Sequence, residues 1–232
     1  MNKIIFDTYY DLVIVGNITK DFFENSKKYR IGGTSLYAGL GSAKLGMKTL
    51  IISNHSFNES DFPKYKNLSI ITFNNKENTE FLWDYKENIR TGVIKKYTDK
   101  IVINSINKIK TKMLMLAPVF QEIDLDIKNS FDYEICLLSI QGLIRSYDDD
   151  LNIYLKNISL GMDLKDISLL SCSDEEEIYF DKQNLFSYLK YIAVTQGARG
   201  ARIYCSNDKS KKFYNYTPAR IVDPTGAGDV FA

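Results

Sequence analysis

Asp11 to Gly16 sets the pattern of this chain: a short apolar run, Leu12-Val13-Ile14-Val15, closed by glycine. A run that is apolar at every position, not every second one, predicts a strand buried on both faces. Thr49 to Ser53 repeats it, as do Met113 to Ala117, Ile135 to Ser139, Ile167 to Leu170 and Tyr191 to Thr195. Between the first two strands, Gly33 to Leu45 is rich in small residues, with Leu36, Leu40, Ala43 and Leu45 near helical spacing. That predicts a helix packed closely under a sheet. Polar, helix-compatible stretches separate several of the later strands. Strand and helix in alternation predict an α/β fold with a mostly parallel sheet and right-handed crossovers. Binding residues are then expected at the C-terminal ends of the strands.

Two segments stand outside this pattern. Phe22 to Ile31 is polar and charged. From Glu80 to Ile94, Phe81, Trp83 and Tyr85 alternate with polar or smaller residues, and Asn88 supplies a turn. Period-two alternation predicts a hairpin with one face exposed. An ordinary edge hairpin is the plain reading.

Composition narrows the function class. The chain has 232 residues, 44% of them hydrophobic, enough for one α/β domain with a sizeable core. A net charge of +1 gives no electrostatic case for nucleic acid or a membrane surface. Cys136, Cys172 and Cys205 are odd in number and far apart, which argues against a disulfide framework or a zinc site. His55 is the only histidine, so a His-based triad has little support. Residues 1–10 lack the apolar run of a signal peptide, and no segment has the length of a membrane span. A cytoplasmic enzyme is expected.

The strongest chemistry lies near the end, in Asp223-Pro224-Thr225-Gly226-Ala227-Gly228-Asp229. It follows the apolar Arg220-Ile221-Val222 and precedes an apparent helix start at Val230-Phe231-Ala232. A strand end, a Gly-Ala-Gly turn and a helix start would gather backbone N–H groups around one point, an anion hole. Asp229 stands beside it as a carboxylate able to take a proton from a hydroxyl. Together they suit phosphoryl transfer to an alcohol. There is no Gly-x-x-x-x-Gly-Lys-Ser/Thr loop, no Gly-x-Gly-x-x-Gly after the first strand, and no protein-kinase His-Arg-Asp or Asp-Phe-Gly string.

The string resembles the Asp-Thr-x-Gly-Ala-Gly-Asp signature of the PfkB (ribokinase-like) family of sugar and nucleoside kinases. A second match is Gly32-Gly33 through Ala38 to Leu45-Gly46, although many members carry Asn where this chain has Tyr37. The resemblance implies a ribokinase-like α/β domain with a small β-lid built from about 22–31 and 80–94. It implies an ATP- and Mg²⁺-dependent kinase acting on a hydroxyl of a sugar, cyclitol or nucleoside, with a homodimer through the lid as a further expectation. Asp229 becomes the catalytic base, with the N–H groups of Gly226, Ala227 and Gly228 stabilising the transferred group.

On the acceptor side the resemblance assigns Asp21, within Gly16-Asn17-Ile18-Thr19-Lys20-Asp21 at the end of the first strand, together with Gly32 and Gly33. A carboxylate accepting two hydroxyl hydrogen bonds selects a polyol; the plain alternative is a solvated turn aspartate. Gln141-Gly142-x-x-Arg145 looks like a segment of a branch with myo-inositol-kinase-like members, so Gln141 and Arg145 either line the substrate or serve structure. On the nucleotide side, Thr195, Gly197 and Gly200 match a Thr-x-Gly-x-x-Gly turn, joined by Asp223 and Thr225. Ser171-Cys172-Ser173-Asp174 stands where the family has Asn-x-x-Glu, which makes Asp174 the expected Mg²⁺ residue. Read without the family, Ser173-Asp174-Glu175-Glu176-Glu177 is a helix start with acids at its positive end.

The family continues beyond this motif, whereas Asp229 stands three residues from the last residue given. The domain is therefore expected to be incomplete at its C-terminus, with a helix too short to be stable alone. A non-catalytic sugar-binding relative, or an inactive fragment lacking a complete ATP site, is the alternative to an active enzyme.

Overall fold

The computed structural model describes residues 6–24, 26, 28–74, 76–86, 89–103, 105–206, 210–215 and 225–231. The strands are Tyr10–Val15 (β1), Thr19–Phe23 (β2), Arg30–Gly32 (β3), Thr49–Ile52 (β4), Leu68–Ile71 (β5), Thr79–Lys86 (β6), Ile89–Lys96 (β7) and Ile109–Leu116 (β8). They continue with Phe131–Ser139 (β9), Arg145–Tyr147 (β10), Ile153–Leu155 (β11), Leu169–Ser173 (β12), Tyr191–Thr195 (β13), Ala201–Cys205 (β14) and Lys211–Tyr214 (β15). The helices are Thr34–Lys44 (α1), Gln141–Ile144 (α2), Lys182–Leu185 (α3) and Ala227–Phe231 (α4).

Among the described residues, nine strands form one sheet in the order β15-β14-β13-β12-β9-β8-β1-β4-β5. From β5 through β13 every neighbouring pair is parallel, and β14 and β15 add an antiparallel edge. The fully apolar runs have the expected cause. In β1, Val13 and Val15 belong to the main core on one face, while Leu12 and Ile14 pack with Ala38 of α1 on the other. The small residues of α1 let it approach closely: a Cβ on Gly39 would overlap the Ile51 side chain.

Among the described residues, the expected alternation of strand and a helix of several turns holds for β1, α1 and β4. The later connections carry the four-residue helices α2 and α3 and 3₁₀ segments. Ile123, Leu125, Ile127, Leu164, Ile167 and Phe180 reach the main core from irregular segments and 3₁₀ turns, joined by Ile144 of α2 and Leu185 of α3. One strand boundary also moves. Ile167 is buried in a turn, its N–H bonded to the Leu164 carbonyl at 3.0 Å, and Asp166 takes a φ of 68°. The strand consequently starts at Leu169 and not at Ile167.

A second sheet, in the order β3-β2-β6-β7, stands over the C-terminal ends of the parallel strands. It begins at Thr19, earlier than the 22–31 expected for the lid, and its hairpin β6–β7 runs over 79–96. The alternation in the hairpin has a clear purpose. Phe81 and Trp83 face inward with Ile94, Val119 and Phe120, and the two rings stack at 5.0 Å.

Candidate active site

Between lid, α1 and the strand ends lies a cleft of about 640 Å³. One half is built around Asp21. This carboxylate is on the lid strand β2, six residues beyond β1, not at the end of the first strand as expected. Trp83 Nε1 donates to its Oδ1 at 3.3 Å and the Thr19 hydroxyl at 3.1 Å, so its orientation is set by two donors. Over the Trp83 ring stands Arg145, buried, its Nη1 donating to the Val119 carbonyl at 3.0 Å and its guanidinium 5.5 Å from the centres of both the Phe81 and Trp83 rings. Gln141, at the start of α2, lines the same wall. The chain turns there because Gly142 lies against the Pro118 backbone, where a Cβ would overlap it. Gln121 secures the turn from behind, its Nε2 donating to the Arg145 carbonyl at 2.6 Å.

The other half gathers Gly33, Thr34, Tyr37, Asp174, Glu175, Thr195, Gln196, Gly197, Thr225, Gly226 and Asp229. Gly33 and Gly226 have φ of 104° and 77°, a region that favours glycine. The short α4 does not stand alone. Gly226 lies on the Tyr37 ring, and Val230 lies on Gly41, where a Cβ would be 2.9 Å from Cγ1. Val230 N–H bonds the Gly226 carbonyl at 3.0 Å, which makes Ala227, Gly228 and Asp229 the first turn, whose N–H groups have no partner within the helix. A Cβ on Gly228 would be 3.8 Å from the Thr195 hydroxyl, so the β13 turn and the α4 turn meet. Asp229 is half-buried at this junction.

No protein-family profile and no curated protein matches the chain. Solved structures do. A pyrophosphate-dependent kinase in the ribokinase family, complexed with a pyrophosphate analog and myo-inositol, superposes with a TM-score of 0.77 at 17% identity, covering 94% of this chain and 83% of that one. The Methanocaldococcus jannaschii nucleoside kinase gives 0.63 at 16% identity, with 94% and 81% covered. Arabidopsis thaliana ribokinase with ribose and ATP gives 0.59 at 15%, with 97% and 84% covered. The chain has the ribokinase fold.

On this ribokinase fold, Asp21, Gly33, Gln141, Arg145, Asp174, Thr195, Gly197, Thr225, Gly226 and Asp229 share the one cleft. Others serve differently. The space beside Gly32 is filled by the Asp21 carboxylate, which a Cβ would overlap, so Gly32 makes room for Asp21 and not for a ligand. Gly200, with φ of 90°, lies against the Tyr214 carbonyl and lets β14 begin. Ala227 and Gly228 shape the α4 turn behind Gly226. Asp223 and the apolar stretch before it lie outside the described residues. Sequence reasoning passed over Thr19, Phe23, Trp83 and Val119, which line the half around Asp21, and Glu175 and Gln196 in the other. The signal for Trp83 was present: period-two alternation marks one hairpin face as apolar, and that face meets the cleft.

Asp174 is ion-paired with Arg199, and its N–H bonds the Thr195 carbonyl at 3.0 Å. Ser173 and Glu176 bond reciprocally, as in a helix start, yet only a turn and a 3₁₀ segment follow. Among the described residues no three side chains form a metal cage. The donor set, a cleft carboxylate with Glu175 beside it, fits a Mg²⁺ that keeps its waters and is held chiefly by phosphates. Gly197, with φ of 53° and open space where a Cβ would stand, leaves room for such a phosphate. Among the described residues no helix is long and apolar enough to cross a membrane.

Proposed function

We propose that the protein is a kinase of the ribokinase family that moves the terminal phosphoryl group of ATP to a hydroxyl of a polyol, a cyclitol or sugar in preference to a nucleoside. The observation that carries this reading is the presence of Asp229 and the Gly226 turn in one cleft with Asp21 and Arg145. A site that only bound a sugar would need no carboxylate at that point. Asp21 accepts two substrate hydroxyls and holds the ring against Trp83 and Phe81. Asp229 takes the proton of the reacting hydroxyl as its oxygen bonds to the terminal phosphorus of ATP, while the bond from that phosphorus to the bridging oxygen breaks and ADP leaves. The first N–H groups of α4, with Gly226, stabilise the charge on the group in flight. Mg²⁺, arriving with the donor beside Asp174, would neutralise phosphate charge.

A second donor, pyrophosphate, is favoured by one comparison: similarity to the pyrophosphate-dependent kinase, at a TM-score of 0.77, exceeds that to the ATP-bound ribokinase, at 0.59. The cyclitol preference rests on the same neighbour together with Gln141 and Arg145 in the acceptor wall.

The test is a turnover panel of inositols, pentoses, hexoses and nucleosides, each with ATP and with pyrophosphate, in wild type and Asp229→Asn. Loss of the base is expected to lower kcat by ~10²- to 10⁴-fold with the fold intact. Turnover of Asp229→Asn within about threefold of wild type would remove the base assignment. No turnover of any acceptor with either donor, alongside measurable polyol binding, would favour the non-catalytic alternative.

A further inference from the structure

Asn17 stands at the foot of every strand of the lid. It is fully buried, two residues past β1 and two before β2. Its Nδ2 donates to the Thr79 hydroxyl at 3.1 Å and to the Thr98 hydroxyl at 2.7 Å. Thr79 is the first residue of β6, and Thr98 follows the last residue of β7 by two. The Asn17 carbonyl accepts the Ser35 hydroxyl at 3.3 Å. It also lies so close to Gly33, the residue after β3, that a Cβ there would overlap it.

The other bonds of Asn17 run to the main sheet. Its Oδ1 accepts the Asn54 N–H at 3.0 Å, beyond the end of β4. Its N–H donates to Glu122 Oε1 at 2.9 Å. The buried Glu122 carboxylate also takes the N–H groups of Val119 and Phe120, at 2.9 and 2.7 Å. Val119 in turn supplies the carbonyl that holds Arg145.

One amide thus bonds both feet of the lid hairpin, and the backbone of the same residue leads into β2 and lies against Gly33, just after β3. The lid brings Asp21, Phe81 and Trp83 to the cleft, whereas Tyr37 and Gly226 belong to the opposite wall. A rotation of the lid against the sheet therefore turns about Asn17. We propose that Asn17 is the hinge pin of the lid, a positioning residue outside the cleft that sets how closely Asp21 and Trp83 approach the Asp229 end. The hinge itself is read from the hydrogen bonds; its effect on turnover rests on the acceptor site described under Proposed function.

The test separates the two. In the ligand-free chain, Asn17→Ala is expected to raise amide hydrogen exchange over 79–96 by about tenfold or more, with exchange in β8, β9 and β12 unchanged. Thr79→Val and Thr98→Val keep shape and lose only the hydroxyl. Each is expected to loosen its own end of the hairpin, and these two decide the matter if Asn17→Ala does not fold. Unchanged lid exchange in both, or an equal rise across lid and core, overturns the hinge. The second readout is the emission of Trp83, the single tryptophan, on addition of myo-inositol. The variants are expected to need about tenfold more polyol for the same response, with the donor KM unchanged. An unchanged polyol response beside selectively loosened exchange overturns the positioning role. If wild type responds to no polyol, the acceptor reading fails, while the exchange result still judges the hinge.

Discussion

Gly226 and Tyr37 occupy adjoining space so tightly that a Cβ on the glycine would overlap the tyrosine ring. The residue at which this chain departs from the common Asn of the resembling family is therefore the seat of the turn before Asp229. The turn's conformation and its support are coupled through one contact. α4 has only five residues, and its position comes from α1, not from its own stability.

Gly226→Ala should consequently be severe in a way that global stability does not explain. The substitution meets a φ of 77° and the Tyr37 ring together. The strain alone costs roughly 1 kcal/mol, and a displacement of ~1 Å near the reacting atoms can cost 10²-fold in rate. Turnover is expected to fall by about that factor while the melting temperature moves little, because α4 is exposed. Tyr37→Ala added to Gly226→Ala should restore part of the loss by removing the overlap but not the φ strain. Steady-state kinetics of the two single variants and the double variant measure this. A double variant no better than Gly226→Ala would show that the ring does not set the turn.

Asp21→Ala should weaken the acceptor and spare the donor. The carboxylate lines the lid side of the cleft, away from Thr195 and Gly197. Loss of charge-assisted hydrogen bonds costs about 1.5 to 3 kcal/mol, or roughly ten- to a hundredfold in polyol affinity. Gly32→Ala should copy this effect in part, since its methyl group would displace the same carboxylate. Calorimetry with polyol and donor separately is the measurement. Equal losses for both ligands would place Asp21 outside the acceptor site.

The buried strands, the small-residue helix and the glycine turn into α4 were legible in the sequence because each is dictated locally. Val13 and Val15 against Leu12 and Ile14 need only a strand buried twice. Gly226 and Gly228 announce a turn by their residue type. How far irregular segments cover the main core was not legible, because Ile123, Leu164 and Phe180 reach it from stretches whose apolar residues have no period to read. Nor was the role of Gly32, which depends on a cross-strand neighbour, Asp21, eleven positions earlier in the chain. Asn17 carries no local signal: its importance comes from Thr79, Thr98 and Glu122, which only the tertiary fold brings to it.

The three thiols should separate cleanly by reactivity. Burial pushes the Cys136 thiol up to about 12, and burial followed by the charges of Glu176 and Glu177 raises Cys172 further. Cys205, near the antiparallel edge, is only half-buried. A thiolate-directed reagent near pH 8 should label Cys205 in the native protein and reach Cys136 and Cys172 only on unfolding. Peptide mass spectrometry of a labelling time course tests this. Labelling of Cys172 as fast as Cys205 would mean that β12 opens at the cleft far more readily than its burial implies.

His55 should make the protein less stable in mild acid. It is buried between Phe57 and Phe62, and its Nδ1 accepts the Phe57 N–H at 3.2 Å. Its Nε2 finds no hydrogen-bond partner among the described residues. Burial lowers its pKa below the ordinary 6.5. The unfolded chain then takes up a proton at a pH where the folded one does not. Stability is complete above about 6.5 and declines as pH falls from there towards the lowered folded value, by at most ~1.4 kcal/mol per pH unit. Because the chain holds one histidine, and carboxylates titrate lower, the interval from about pH 7.5 to 5.5 reports this group almost alone. His55→Asn, which can still accept the Phe57 N–H but does not titrate, should flatten the dependence. Urea midpoints measured across that interval for both proteins decide it: an equal slope in wild type and variant would place the acid sensitivity elsewhere.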